Sequence, residues 1–216
     1  LPPGLAVCDA TQGFGKLAVA FDWMGADMAL ISAHKLGGPK GVGALVIRRG
    51  LDITARILGG GQEMGRRAGT ENVIGIAGFG AAAQAAMRDI ENGVWDGVSE
   101  LRDLLEQTLA GAAPDTIFVG KGAKRLPNTS CIATAGWKGE TQVMQLDLAG
   151  FAVSAGSACS SGKVGPSRVL KAMGFDDVTA SSAIRVSMGP TTTKDEVSRF
   201  IDAWTGLYKR MKTRAA

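Results

Sequence analysis

Short apolar runs that end in polar residues dominate the first fifty positions of the chain. Three such runs occupy residues 5–8, 28–31 and 44–47. Each is too short for a typical buried helix and predicts a buried strand. Asp9 follows the first run, and residues 32–35, with the sequence SAHK, follow the second. Because ligands gather at the carboxyl ends of strands in open α/β sheets, we expect chemistry at these polar ends.

Beyond residue 75 the apolar residues recur at helical spacing. Those that repeat three or four positions apart are Val94, Val98, Leu101, Leu105 and Leu109. The spacing predicts helical structure from about residue 75 to residue 110. Asn92 and Gly93 fall inside this stretch, and we place a domain boundary next to them, although a single long helix crossing the boundary also fits the pattern.

The rest of the sequence alternates between strand-like and helical patterns. Strands are predicted at 116–119, 129–133, 151–154 and 184–188, and helices at 140–148 and 166–173. Thr193 and Glu196 have the spacing of a capping box, which predicts the start of the last helix. The apolar face of that helix consists of Val197, Phe200, Ile201, Trp204, Leu207 and Met211. The predicted fold class is α/β, with the end of a large domain of mostly parallel sheet and helices over residues 1–92 and a smaller α/β domain over residues 93–216.

Composition and charge narrow the class of function. The chain has 216 residues, of which 45% are hydrophobic and 20% charged, as in a globular protein. No apolar run reaches the ~18 residues that a membrane span needs, and no signal peptide is visible. The net charge is +4, but Lys and Arg are scattered. Nucleic-acid binding needs a concentrated basic stripe, so we expect no direct nucleic-acid partner.

The three cysteines are Cys8, Cys131 and Cys159. Their odd number and the absence of a CxxC spacing argue against a disulfide framework or a zinc site, so no metal is expected and a reducing, cytoplasmic compartment fits best. Cys8 and Cys131 lie in predicted strands, as structural cysteines commonly do. Cys159 lies in a stretch of small residues, SACSSG at 157–162, and is the better candidate for a reactive thiol.

Lys35 is the central candidate for catalysis. A lysine at a strand-to-turn junction is, taken alone, most often a solvated surface residue. The glycines that follow suggest a phosphate loop, but the spacing GxxxxGK[ST] is met neither at Lys35 nor at Lys40. Asp9 lies 26 residues upstream, at the end of the neighbouring predicted strand. Pyridoxal 5'-phosphate (PLP) requires a lysine amine and a carboxylate that keeps its pyridine nitrogen protonated, so the pair predicts a PLP site.

Five short sequence segments, in order along the chain, carry a resemblance to a known family. They are DATQ at 9–12, SAHK with GPKG at 32–41, GGGQE with RAGT at 59–70, SAGSAC at 154–159 and SAIR at 182–185. Together they resemble the class V aminotransferase superfamily of fold-type I PLP enzymes and, within it, the cysteine desulfurases of the NifS/IscS type. The resemblance extends over nearly all of the 216 residues, and the chain corresponds to the second half of such enzymes.

The resemblance implies a set of cofactor contacts. Lys35 would hold PLP and later shuttle the α-proton of the substrate. Asp9 would pair with the pyridinium nitrogen, and Gln12 would hydrogen-bond the phenolic oxygen of the ring. Ser32 and His34 would contact the phosphate. Residues 1–92 would then be the C-terminal part of the PLP-binding large domain.

The resemblance also implies the substrate and the partners. Thr70 would reach the phosphate of PLP in the partner subunit, which implies a homodimer. Arg185 would bind the carboxylate of L-cysteine, for which its planar guanidinium group is well suited. Cys159, in the small domain at 93–216, would receive the sulfur as a persulfide while alanine is released. The GSAC-type and SAHK motifs are similar to those of the group that supplies iron–sulfur assembly or thiolation, so a sulfur-acceptor protein is expected.

The family's first half normally supplies a phosphate-binding turn, an Asn near the ring oxygen and a His stacked on PLP. The chain has one histidine, His34, which already has another role. We therefore expect weak or no PLP binding unless the missing half is supplied in cis or as a second chain. Two other interpretations stay open: a related PLP enzyme such as an aminotransferase or a selenocysteine lyase, and an inactive fragment that serves as a dimerisation or docking module.

Overall fold

A computed structural model of the chain describes residues 4–156 and 165–215. Its strands are β1 (Val7–Asp9), β2 (Met28–Ser32), β3 (Gly43–Ile47), β4 (Thr116–Phe118), β5 (Thr129–Thr134), β6 (Ser154–Ala155) and β7 (Ala183–Ser187). Its α-helices are α1 (Val73–Glu91), α2 (Val94–Ala112), α3 (Gly139–Leu148), α4 (Arg168–Ala172), α5 (Asp177–Ser181) and α6 (Lys194–Ala215). The chain divides into two compact units, Leu1–Val94 and Trp95–Ala216. No helix in the described part of the chain is long and apolar enough to cross a membrane.

The first unit contains a three-stranded sheet in the order β1-β2-β3. β1 runs parallel to β2, with Asp9 opposite Leu30. β3 is antiparallel to β2, with Gly43 opposite Ser32. A Cβ atom at Gly43 would lie 2.7 Å from the carbonyl oxygen of Ile31, so this close pairing requires glycine. The three predicted strands are therefore present, and one of the two strand pairs is parallel. The prediction that each strand is buried is wrong for β1 and β3, whose residues are mostly exposed.

Helix α1 packs small residues against the turn that follows β2. A Cβ atom at Gly78 would lie 2.6 Å from Cγ of Pro39, and one at Gly38 would lie 3.2 Å from Cβ of Ala82. The side chain of Asn72 caps the helix by accepting a hydrogen bond of 3.0 Å from the amide of Gly75. The Gly- and Ala-rich composition of α1 thus permits a close backbone approach next to the candidate site.

Two helices, and not one, occupy the stretch predicted to be helical between residues 75 and 110. α1 ends at Glu91, and Gly93 adopts a positive φ of 69° before α2 begins. Glycine adopts this left-handed conformation without the steric cost that a Cβ atom imposes. Two consecutive helices therefore account for the helical pattern on both sides of the boundary between the compact units.

The second unit contains an antiparallel sheet in the order β4-β5-β7-β6 and the main hydrophobic core. Trp204, Leu105, Leu109, Ile132, Leu146 and Ile184 are fully buried in it. The indole of Trp204 lies 5.3 Å from that of Trp137 and stacks on Tyr208 at 5.5 Å. The core therefore joins α2, α3 and α6 to one sheet.

The predicted capping box of the last helix is confirmed. The carboxylate of Glu196 accepts a hydrogen bond of 2.8 Å from the amide of Thr193, and the amide of Glu196 donates to the Thr193 hydroxyl at 3.2 Å. Of the six apolar positions predicted for this helix, five are buried, whereas Met211 is only partly buried at the edge of the core.

Two predicted elements of the second unit differ from the structure. The strand predicted at 151–154 is wrong in its extent, because only Ser154 and Ala155 pair with β7. Phe151 instead packs against Phe200 in the core. The helix predicted at 166–173 is confirmed as the shorter α4, which is capped by the side chain of Ser167. Helix α5 was not predicted, although the Asp176 side chain caps it.

A buried ion pair links the segment between β4 and β5 to α2. The guanidinium of Arg125 donates two hydrogen bonds to the carboxylate of Glu106, at 2.7 and 3.0 Å. The hydroxyl of Ser130 donates a third at 2.7 Å. Glu106 is 1% exposed. A bidentate contact of this kind satisfies a carboxylate that has lost its water.

We predict that Arg125→Met destabilises the fold by about 3 kcal/mol, because it leaves the buried carboxylate of Glu106 without its main partner. Urea denaturation measures this loss. The matched control is Arg199→Met, which breaks the exposed pair of Arg199 with Asp195 and should cost less than about 0.5 kcal/mol. Equal losses in the two variants would contradict the assignment.

Acid should reduce the difference between the wild type and Arg125→Met. Burial acts to raise the pKa of Glu106, but hydrogen bonds from Arg125 and Ser130 outweigh it, and the pKa lies below its ordinary value. A carboxyl group whose pKa is lowered on folding stabilises the fold above its unfolded pKa and loses that contribution as the pH falls. Denaturation of both proteins at decreasing pH tests this sign, and a difference that grows in acid would refute it.

Candidate active site

Asp9 lies at the carboxyl end of β1, where its side chain is exposed. Its Oδ1 accepts a hydrogen bond of 3.0 Å from the amide of Thr11. Hydrogen bonds from the side chain and the backbone of Thr11 lower the pKa of Asp9. The carboxylate is therefore ionised at neutral pH, as a group that pairs with a protonated ring nitrogen must be.

Lys35 lies in a single turn of 3-10 helix, Ala33–Leu36, directly after β2. Ala33 is fully buried, whereas Lys35 and His34 are exposed. The hydroxyl of Ser32 lies 2.9 Å from Nδ1 of His34. Because β1 and β2 are parallel, the turn with Lys35 and the loop with Asp9 leave the same end of the sheet. The sequence prediction that these polar ends lie together is consistent with this topology.

Lys16 is a residue of the site region that the sequence interpretation missed. Its Nζ donates hydrogen bonds to the backbone carbonyl of Gln12 at 2.9 Å and to that of Lys35 at 3.4 Å. Only 9% of the residue is exposed. Burial and the nearby charge of Lys35 lower the pKa of Lys16. No pattern in the sequence distinguishes this lysine from the solvated ones, because these two hydrogen bonds go to backbone carbonyls, which every residue has.

Thr70 is exposed in the loop that precedes α1, in the same unit as Asp9 and Lys35. The side chain of Gln62 accepts a hydrogen bond of 3.2 Å from the amide of Gly69. Arg67 donates to the carbonyl of Gly69 at 2.7 Å. These contacts close the loop on itself next to Thr70.

Arg185 lies in β7 of the second unit, opposite Cys131 on one side and Ser154 on the other. Its Nη1 donates a hydrogen bond of 2.6 Å to the carbonyl of Gly156. A guanidinium group has five N–H donors, so further donors remain for a carboxylate. The contact places Arg185 beside the chain that leads toward Cys159, which itself lies outside the described residues.

Two cavities in the described part of the chain lie away from the predicted site residues. One, of about 670 Å³, is lined by α3, α6 and the turn before α3, and the other, of about 330 Å³, surrounds the Arg125–Glu106 pair. Neither contains Asp9, Lys35 or Arg185. Asp9, His34 and Lys35 are exposed at one end of the sheet of the first unit.

Comparison with known proteins gives the family. The Aminotransferase class-V profile matches residues 4–200 of the chain. The chain belongs to this family. It is 42% identical over 204 residues to a cysteine desulfurase of Trichormus azollae and 44% identical over 194 residues to one of Cereibacter sphaeroides. These matches cover 94% and 90% of this chain but only 51% and 49% of those proteins.

A solved structure of a NifS-like protein from Rickettsia africae ESF-5 has the same fold. It superposes with a TM-score of 0.84 at 35% identity, over 94% of this chain and 53% of that one. The α/β fold class and the resemblance to NifS/IscS proteins are therefore confirmed. The chain spans about half the length of the curated relatives it matches.

Class V aminotransferases are PLP-dependent enzymes, and the residues present fit that cofactor. The set combines a lysine amine in an exposed turn, an ionised carboxylate at the end of the adjacent strand, and the hydroxyl and imidazole of Ser32 and His34 beside the lysine. An amine and a carboxylate are the two groups that PLP chemistry requires from the protein. The individual roles of these residues stay predictions.

The two cysteines in the described part of the chain are partly buried, whereas a reactive thiol is exposed to solvent. Cys8 and Cys131 are half-buried in strands β1 and β5. Burial raises the pKa of Cys131, and the opposing effect of Arg185 does not cancel it. A raised thiol pKa leaves less of the nucleophilic thiolate at neutral pH.

We predict that iodoacetamide alkylates Cys131 at least about tenfold more slowly in the native protein than in urea, because folding both buries the thiol and raises its pKa. Mass spectrometry of tryptic peptides at neutral pH measures the rate for each cysteine. The rate in urea is the control for intrinsic reactivity. Equal rates with and without urea would show that Cys131 is freely accessible.

Proposed function

We propose that the protein acts as a PLP-dependent cysteine desulfurase, which converts L-cysteine to L-alanine and retains the sulfur as a persulfide on Cys159. The observation that carries the proposal is the common end of parallel strands β1 and β2, from which the Asp9 loop and the Lys35 turn both emerge. The similarity to named cysteine desulfurases along nearly the whole chain supports it further.

Each residue has a defined task in this proposal. PLP, when bound, supplies an electron sink that makes the α-hydrogen of the amino acid acidic. Lys35 would hold the cofactor through its amine and would accept the α-proton of the substrate at Nζ. Asp9 would keep the pyridine nitrogen protonated, and Gln12 would donate to the phenolic oxygen. Ser32 and His34 would hold the phosphate.

Arg185 and Cys159 act on the substrate. Arg185 binds the carboxylate of L-cysteine through its guanidinium group. The thiolate of Cys159 attacks Sγ of the substrate, so that an S–S bond forms as the Cβ–Sγ bond breaks, and the Cβ carbon gains a proton. The balance is L-cysteine plus the Cys159 thiol giving L-alanine plus the Cys159 persulfide. A sulfur-acceptor protein then removes the terminal sulfur.

The active unit in this proposal is larger than the chain. Large apolar side chains of the first unit that are more than half exposed are Leu5, Val7, Trp23, Ile57, Leu58, Met64, Val73, Ile74 and Met87. Extensive apolar exposure of this kind marks surfaces that other polypeptide covers. We assign part of it to the half of the relatives that the chain does not match, and the surface beside Thr70 to a second subunit of a homodimer.

We predict that the chain supplemented with this other half releases alanine from L-cysteine and that Cys159→Ala reduces turnover at least about a hundredfold, because the sulfur has no acceptor thiol. Alanine quantification and mass spectrometry of the persulfide measure the two products. Cys131→Ala is the matched control and should retain most of the activity. Undiminished turnover by Cys159→Ala would favour another PLP reaction, such as that of an aminotransferase or a selenocysteine lyase.

We predict that the 216-residue chain alone binds PLP weakly and that the other half of a relative, such as the unmatched part of the Trichormus azollae desulfurase, increases the visible absorbance of bound PLP. The reason is that the resemblance assigns the phosphate-binding turn, an Asn near the ring oxygen and the His stacked on PLP to the half that the chain does not match. Lys35→Ala in the same mixture is the control and should abolish the band. A strong band from the chain alone would refute the need for a second half, and no band in the mixture would count against PLP binding.

A further inference from the structure

Lys16 is a lysine whose side chain is buried, with only 9% of the residue exposed. Its Nζ donates two hydrogen bonds to main-chain carbonyls, those of Gln12 and Lys35. Desolvating an ammonium group is costly, and the positive charge of Lys35 adds to that cost. A methionine of similar length would fill the space at lower cost, so packing alone does not call for an amine at this position.

The two carbonyls belong to the two segments that carry the proposed cofactor contacts. Gln12 lies in the loop after β1, three residues beyond Asp9, and Lys35 lies in the turn after β2. Thr11 of the same loop bonds Asp9. No side chain of either segment is needed for the link, because Lys16 reaches the backbone of both. The ammonium group therefore acts as a cross-brace between the Asp9 loop and the Lys35 turn.

The surroundings hold the base of the Lys16 side chain in place. The amide of Lys16 donates to the carbonyl of Gly13 at 3.0 Å. Gly15, at φ 82°, approaches so closely that a Cβ atom there would lie 3.1 Å from Cβ of Leu36 and of Ala86. The loop, the lysine turn and α1 thus meet at one point, and a short movement of the loop would be transmitted to Lys35.

We propose that Lys16 is a positioning residue for Lys35, which holds the turn carrying the cofactor-binding amine against the loop that carries Asp9 and Gln12. The inference rests on the proposed function, because it assigns a purpose to the position of Lys35. The brace acts on main-chain atoms, so it fixes where the Lys35 side chain starts without contacting the cofactor itself.

The test compares the wild type with Lys16→Met, which removes the donor but keeps the length, and Lys16→Arg, which keeps both donor and charge. Each protein, supplemented with the other half as above, is incubated with PLP, reduced with borohydride and mapped by mass spectrometry. The readout is the ratio of pyridoxyl label on Lys35 to that on exposed Lys124 within the same molecules. We expect Lys16→Met to lower this ratio about tenfold, since hydrogen bonds from a charged donor are lost, and Lys16→Arg to stay within about twofold.

Hydrogen exchange supplies a readout that needs no cofactor. The amides of Gly37 and Gly38 bond the carbonyl of Ala33 within the lysine turn. They should exchange about tenfold faster in Lys16→Met and near the wild-type rate in Lys16→Arg. Lys40→Met, which removes an exposed lysine from the same unit, is the matched control and should change neither readout.

The outcomes separate the two proposals. A wild type with no preference for Lys35 over Lys124 would defeat the proposed function, while the exchange rates would still decide whether Lys16 braces the turn. Wild-type labelling and exchange in a folded Lys16→Met would overturn the role of Lys16 and leave the proposed function intact. If Lys16→Met does not fold, Lys16→Arg decides, because a tenfold loss of Lys35 preference in that folded variant would contradict the brace.

Discussion

The parallel pairing of β1 with β2 is the constraint on which the candidate site depends. The register sets Asp9 opposite Leu30, so the loop after Asp9 and the turn with Lys35 leave the sheet at one end. A parallel pair cannot be joined by a tight hairpin, and the connection between these strands must return across the sheet. The positions of the Asp9 loop and the Lys35 turn are therefore set by main-chain hydrogen bonds, which involve none of the proposed catalytic side chains.

Close packing of backbone supports this arrangement on the other side of the lysine turn. Gly43 allows β3 to pair beside Ser32, and Gly78 of α1 allows Pro39 to approach. Substituting either glycine would push the turn away, since the nearest contacts of an added Cβ atom are 2.7 and 2.6 Å. Gly43 and Gly78 thus serve packing between segments.

Sequence reasoning succeeded where the physical signal is local. The strand ends at Asp9 and Lys35 follow from short apolar runs, and the last helix follows from the Thr193–Glu196 cap and its apolar face. It failed where tertiary contacts decide. Phe151 was predicted to lie in a strand, but its ring packs into the core. Lys16 donates hydrogen bonds to two main-chain carbonyls, a group that every residue has. The roles assigned to Cys159 and Arg185 come from family motifs, which local patterns do not supply.

The two units differ in how much of their apolar surface they bury, and this difference is related to the exposure of Asp9 and Lys35. The second unit encloses a core in which Trp204 and Leu105 have no exposed surface, and its buried Glu106 has its charge partner within the same unit. In the first unit Trp23 and Ile74 are 91% and 88% exposed, although both lie in or beside regular structure. The second unit also exposes large apolar side chains outside this core, among them Leu148 at 89% and Val169 at 68%. Burial of apolar area drives folding and association alike, so the exposed apolar surface of each unit is one that further polypeptide can cover. The first unit also carries Asp9 and Lys35, and covering its apolar surface would therefore also enclose the candidate site.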